Sequence, residues 1–182
     1  MPIHRWSDWP LVHRDALDRL LAALEENPAG LALIGNEGTG KTTLDEQVAE
    51  RLGRGEPLRV VGTVAGSMVP FGAFGDLIDV QDAGKPAALI RSAADSILAQ
   101  ANSTPIIVDN ARLLDPLSAT LVYRLAQAAA DGSAGPLIVT VRAVLRVPQV
   151  VSALWEDGLL RRCHVDPLDG PETAALVAAA GG

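Results

Sequence analysis

Gly35-Asn36-Glu37-Gly38-Thr39-Gly40-Lys41-Thr42 is the stretch that decides how this chain folds. It matches G-x-x-x-x-G-K-[ST] and follows an aliphatic run, Leu31–Ile34. After it, Leu44, Val48 and Leu52 fall on one stripe of a helix. Glycines at these spacings let the backbone wrap its N–H groups around a phosphate, at the positive end of the helix that follows. Gly35, Asn36, Glu37, Gly38, Thr39 and Gly40 then form a cradle, and Thr42 and Thr43 open the helix. Lys41 is placed to reach β- and γ-phosphates, and the Thr42 hydroxyl to ligate Mg²⁺. A dinucleotide loop is disfavoured, because G-x-G-x-x-G is absent and a lysine occupies the helix start.

Outward from this loop, four more aliphatic runs read as buried strands: Leu58–Thr63, Pro105–Asp109, Leu137–Val141 and Arg162–Val165. Helix-period segments alternate with them. One carries Leu89, Ile90, Ala93, Ala94, Ile97, Leu98 and Ala101. A second opens at Asp115-Pro116 and presents Leu117, Leu121, Val122 and Leu125. A shorter helix begins near Pro148, and Asp169-Gly170-Pro171-Glu172 resembles a capping-box start for an alanine-rich helix. An amphipathic helix from about Leu11 to Glu26 precedes the first strand. Such alternation predicts right-handed βαβ units and an α/β fold, with a parallel sheet covered on both faces. Residues 62–82 and 131–136 read as mobile loops. The expected organisation is one domain over 1–182: an N-terminal segment and helix (1–28), the αβ core (29–168) and the start of a helical region (169–182). The ending Gly181-Gly182 reads as if more of a parent protein follows.

Composition narrows the classes. Among 182 residues, Lys plus Arg number 15 and Asp plus Glu 22, for a formal charge of −7. The balance, without a basic run, argues against direct nucleic-acid binding by this chain. Cys163 is the single cysteine, which excludes an internal disulfide and an all-cysteine metal site. Its place in an expected buried strand makes it inert. No apolar run approaches membrane-spanning length, and the start Met1-Pro2-Ile3-His4-Arg5-Trp6 lacks a signal-peptide core, so a cytoplasmic protein is expected. Aromatic residues are only 3% of the chain, so Ala, Leu, Val and Ile must build the core.

A phosphate loop needs a metal-holding acid from a neighbouring strand. Ile106-Ile107-Val108-Asp109 supplies one, with a surface aspartate that merely ends a strand as the alternative. Asn110 follows where hydrolytic relatives of this loop usually carry a second carboxylate. An amide orients a water but cannot take its proton, which points to retained binding and weakened hydrolysis. Asp115 or Glu37 is the alternative source of a base. Thr140-Val141-Arg142 ends the fourth strand, where Thr140 can contact the γ-phosphate region and Arg142 can report that phosphate. A solvent-facing strand-end arginine is the alternative. In Pro10-Leu11-Val12-His13-Arg14-Asp15, Leu11 and Val12 can pack on an adenine face and Arg14 can bond base or ribose. An ordinary helix start fits the same residues. His4, His13 and His164 lack metal-ligand spacing, and Arg161-Arg162 reads as a solvated turn before the fifth strand rather than an arginine finger.

With these elements in order, the chain resembles the STAND branch of the AAA-related P-loop ATPases. More narrowly, it is similar to the N-terminal ATPase domain of large ATP-binding LuxR-type regulators of actinobacteria. The matching stretches are Leu11–Asp15, the loop at 35–42, Met68-Val69-Pro70-Phe71-Gly72-Ala73-Phe74, 107–115, Thr140-Val141-Arg142 and 153–160. The resemblance implies a three-layer αβα core, with a five-stranded parallel sheet in the order 5-1-4-3-2 that binds ATP or ADP with Mg²⁺. It also implies a nucleotide-gated switch whose lid, helical sensor repeats and DNA-binding domain lie downstream, and it leaves room for an oligomer. The chain departs from the family pattern at His13, where glycine is usual. It departs again at Asn110-Ala111-Arg112, where an acidic residue followed by Ala-His is usual. The first functional expectation is therefore a switch domain of a transcriptional regulator with weak ATPase activity. A competent P-loop ATPase or small-molecule kinase is the second, and a degenerate interaction module the third.

Overall fold

The computed structural model describes residues 14–78, 84–143 and 146–180. Its elements run α1 (Arg14–Glu26), β1 (Gly30–Gly35), α2 (Lys41–Leu52), β2 (Leu58–Val61), α3 (Pro86–Ala101), β3 (Ile106–Asp109), α4 (Pro116–Ala130), β4 (Leu137–Arg142), α5 (Gln149–Glu156), β5 (Arg161–His164) and α6 (Gly170–Ala180). Short 3₁₀ turns occupy Gly66–Met68 and Ala111–Leu113. All five strands lie in one parallel sheet, in the order β2-β3-β4-β1-β5. This is 5-1-4-3-2 read from the other edge.

Strand alternation sorts the core into two layers. Leu31 and Leu33 face Leu17, Leu20 and Leu24 of α1 and Leu44 and Val48 of α2. Ala32 and Ile34 face the opposite layer, where Ile97, Leu121, Val122, Leu125 and Leu154 pack from α3, α4 and α5. β1 is buried along its whole length because β4 and β5 flank it and helices cover both faces. Two capping expectations are met in detail. The Asp115 carboxylate accepts from the Leu117 and Ser118 N–H groups at 3.0 and 3.1 Å. At α6, the Asp169 N–H donates to Glu172 (3.0 Å) while the Glu172 N–H donates to Asp169 (2.8 Å).

The structure corrects four expectations. The fifth run is buried only at Val165: among the described residues β5 has a strand neighbour on one side only, and Arg161, Arg162 and His164 are exposed. Charged side chains on such an edge discourage further strand pairing. Arg161 and Arg162 lie within β5 rather than in a turn. Arg161 stands 3.7 Å from Glu26, and the Arg162 guanidinium stacks 5.9 Å from the Trp155 ring centre. Cys163 is half-buried, and burial raises its thiol pKa, which agrees with an unreactive cysteine.

β2 ends at Val61, two residues short of the expected end, and the next residue, Gly62, still donates its N–H to the Asp109 carbonyl at 2.8 Å. A Cβ at Gly62 would stand 2.5 Å from the Asn110 carbonyl oxygen, so only glycine fits. The stretch that follows, read as a mobile loop, is instead pinned within its described part, 62–78. Phe74 is fully buried, and Phe71 sits in the core with φ 54°. That left-handed backbone strains a bulky residue. It is held by Asp115, which accepts from the Phe71 N–H at 3.1 Å and the Gly72 N–H at 3.2 Å. Among the described residues, no helix is long and apolar enough to cross a membrane.

Candidate functional site

The glycine-rich loop leaves β1 at its carboxyl end and enters α2 at Lys41. Gly38 and Gly40 take φ values of 76° and 77°, which lets the backbone curl back on itself. Gly40 is the N-cap of α2 and no side chain caps that end, so the first-turn N–H groups are free to meet an anion. The loop borders a cavity of about 410 Å³. Glu37, Gly38, Thr39, Gly40, Lys41 and Thr42 line it on one side, and Val61, Asp109, Asn110, Thr140 and Arg142 on the other. Gly35, Asn36 and Thr43 adjoin the loop without lining the cavity. Leu11 and Val12 lie outside the described residues, as does the Arg14 side chain.

The Lys41 ammonium folds back onto the loop. Its Nζ donates to the Gly35 and Asn36 carbonyls at 2.9 and 2.5 Å and to Thr39 Oγ1 at 3.3 Å. Burial pulls its pKa below the usual lysine value, while the nearby Asp109 charge opposes that shift. Lys41 is therefore a positioned, partly dehydrated cation at the cavity wall.

Asp109 sits at the carboxyl end of β3, where a parallel sheet presents its functional groups. Thr42 Oγ1 donates to its Oδ2 at 3.3 Å, and Thr140 Oγ1 donates to its Oδ1. The Asn110 N–H donates in turn to Thr140 Oγ1 at 2.9 Å. Thr140 is thus buried and committed to orienting Asp109, a link that β3–β4 pairing creates and local sequence does not announce. Asn110 adopts left-handed backbone (φ 56°), which asparagine tolerates. Its Nδ2 donates to the Gly62 carbonyl at 3.2 Å, and its buried Oδ1 has no partner among the described residues.

The alternative bases separate clearly. Asp115 does not line the cavity, and its buried carboxylate already accepts from Phe71, Gly72, Leu117 and Ser118. Glu37 does line the cavity, but its carboxylate is forked by Arg142 at 3.0 and 2.9 Å.

No protein-family model matches the chain, and no curated protein matches it. Solved structures do. The ORC1 protein of Aeropyrum pernix, in complex with DNA, aligns with a TM-score of 0.63 at 20% identity, over 94% of this chain and 50% of that one. The chain has a P-loop NTPase fold. Pif1 helicase from Candida albicans aligns with a TM-score of 0.56 at 15% identity, over 93% of this chain and 41% of that one. The chain therefore spans half or less of the length of both neighbours.

Beneath the P-loop lies a charge that sequence patterning does not flag. Asp45, on α2, is fully buried and pairs with Arg59 of β2 at 2.9 Å, while its Oδ2 has no partner among the described residues. Burial pushes its pKa up to about 7, against the pull of Arg59, with Asp109 adding to the rise. The folded state therefore keeps a proton that the unfolded chain releases near its ordinary value of 3.8. Stability should fall as pH rises from about 4 to about 7, then level off, by on the order of a few kcal/mol. Asp45→Asn should flatten that slope in urea-unfolding series run from about pH 4 to about pH 8. A wild-type slope no steeper than the variant's would count against this assignment.

Proposed function

We propose that this domain is an ATP- and ADP-binding switch of a transcriptional regulator, one that turns ATP over slowly. The observation that carries the reading is the gathering of Lys41, Thr42, Asp109 and Thr140 on one cavity, with an amide rather than a carboxylate at position 110. In this reading the loop N–H groups and Lys41 hold the β- and γ-phosphates. The oxygen donors of Thr42 and Asp109, 3.3 Å apart, suit Mg²⁺, which completes its shell from phosphate and water. When bound, Mg²⁺ neutralises phosphate charge. Thr140 positions the Asp109 carboxylate, and Arg142 reads the terminal phosphate. Leu11, Val12 and Arg14 take the adenosine end.

The resemblance to LuxR-type STAND regulators supplies the regulatory half of the proposal, with lid, helical sensor and DNA-binding domains downstream and a cytoplasmic setting. The Aeropyrum pernix neighbour is in complex with DNA, whereas this chain carries a charge of −7. Its own phosphate ligand is taken to be one nucleotide.

Calorimetric titration with Mg-ATP and Mg-ADP, followed by phosphate-release assays, tests the reading. Micromolar-to-millimolar binding with slow release is expected, and a folded sample that binds neither nucleotide would refute it. Asn110→Asp should raise turnover by roughly 10²-fold while affinity changes little, since it restores a proton acceptor beside Asp109. An aspartate cannot donate to the Gly62 carbonyl, so it is also freed from that tether. Unchanged turnover would show that position 110 is not the catalytic slot.

A further inference from the structure

The Glu37–Arg142 fork is absorbed by neither the binding nor the hydrolysis described above. Arg142 ends β4 directly opposite Gly35 in the sheet register, and the next residue, Ala143, donates its N–H to the Gly35 carbonyl at 3.1 Å. The arginine is thereby anchored beside the first residue of the P-loop. Its guanidinium grips Glu37 through both terminal nitrogens, at 3.0 and 2.9 Å, across the mouth of the phosphate cavity. Arg142 and Lys41 are the two cationic side chains lining that cavity among the described residues.

A guanidinium presents the same planar fork to a carboxylate as to a phosphate, so the two ligands compete for one face. We propose that Glu37 is a specificity-determining residue that occupies the place of a terminal phosphate on Arg142 and so biases the site toward nucleoside diphosphates over triphosphates. The proposal rests on the nucleotide-binding reading above. A diphosphate engages the loop N–H groups and Lys41 and leaves the fork closed. A triphosphate gains Arg142 only by opening the fork, and it then places its added negative charge near the released carboxylate. Both costs fall on the triphosphate alone. The Glu37 side chain is three-quarters exposed, so water screens the pair and the bias is moderate.

Calorimetry of Mg-ATP and Mg-ADP on wild type, Glu37→Gln, Arg142→Ala and the double variant tests this. Glu37→Gln keeps the loop N–H groups and removes one negative charge from the cavity wall, so it should tighten both nucleotides, Mg-ATP by roughly 3- to 10-fold more than Mg-ADP. In the Arg142→Ala background the same substitution should shift the ATP-to-ADP ratio less, because the contested partner is gone. An equal shift for both nucleotides, or none, overturns the proposal while leaving the nucleotide-binding reading intact. A folded wild type that binds neither nucleotide overturns both.

Discussion

Lys41→Ala is expected to abolish measurable binding of Mg-ATP and Mg-ADP while leaving the chain folded. The Lys41 ammonium rests on two loop carbonyls and the Thr39 hydroxyl, at the border of the loop cavity. The Asn36 contact is solvent-exposed, so water replaces the lost donor there at small cost to the fold. Binding suffers far more. Each charged hydrogen bond from lysine to phosphate contributes about 1.5–3 kcal/mol, and losing two costs at least a hundredfold in affinity. The low dielectric around a partly buried cation adds to that loss. Calorimetry checks the first half, and melting temperatures within a few degrees of wild type check the second. Nucleotide affinity within threefold of wild type would remove Lys41 from the site.

Asp115→Ala should have the largest effect on stability, roughly 3–5 kcal/mol in denaturant unfolding. One buried carboxylate accepts from the Phe71, Gly72, Leu117 and Ser118 N–H groups and from the Ser118 hydroxyl. Alanine removes the α4 N-cap and also leaves buried donors without an acceptor. It further frees the strained Phe71 backbone, and with it the fully buried Phe74. Asp115→Ser keeps a capping oxygen but is too short to hold the loop as well, so it should recover only about 1 kcal/mol. A loss below 1 kcal/mol for the alanine variant would mean that other contacts fasten the 62–78 stretch.

The elements were legible wherever a local pattern carries the physics. The P-loop spacing, the strand ending in Asp109 and the caps at Asp115 and Asp169 each depend on residues a few positions apart. The exposure of β5 was not legible, because a short run such as Arg162-Cys163-His164 reads alike in a central strand and at an edge, and only strand order separates the two. The anchored 62–78 stretch also escaped notice. Its glycines suggest mobility, whereas its order comes from a carboxylate more than forty residues away.

The candidate site divides along the same line. Which groups could touch phosphate or metal follows from residue type and spacing around Lys41, Thr42 and Asp109. Which groups are already engaged is settled by β4, whose pairing with β1 and β3 brings Thr140 to Asp109 and Arg142 to Glu37. Local patterning records what each short segment can do, because helix periods, turns and caps are short-range physics. Partner choice across the sheet is long-range: it depends on strand order and register, which bring together residues that are distant in the chain.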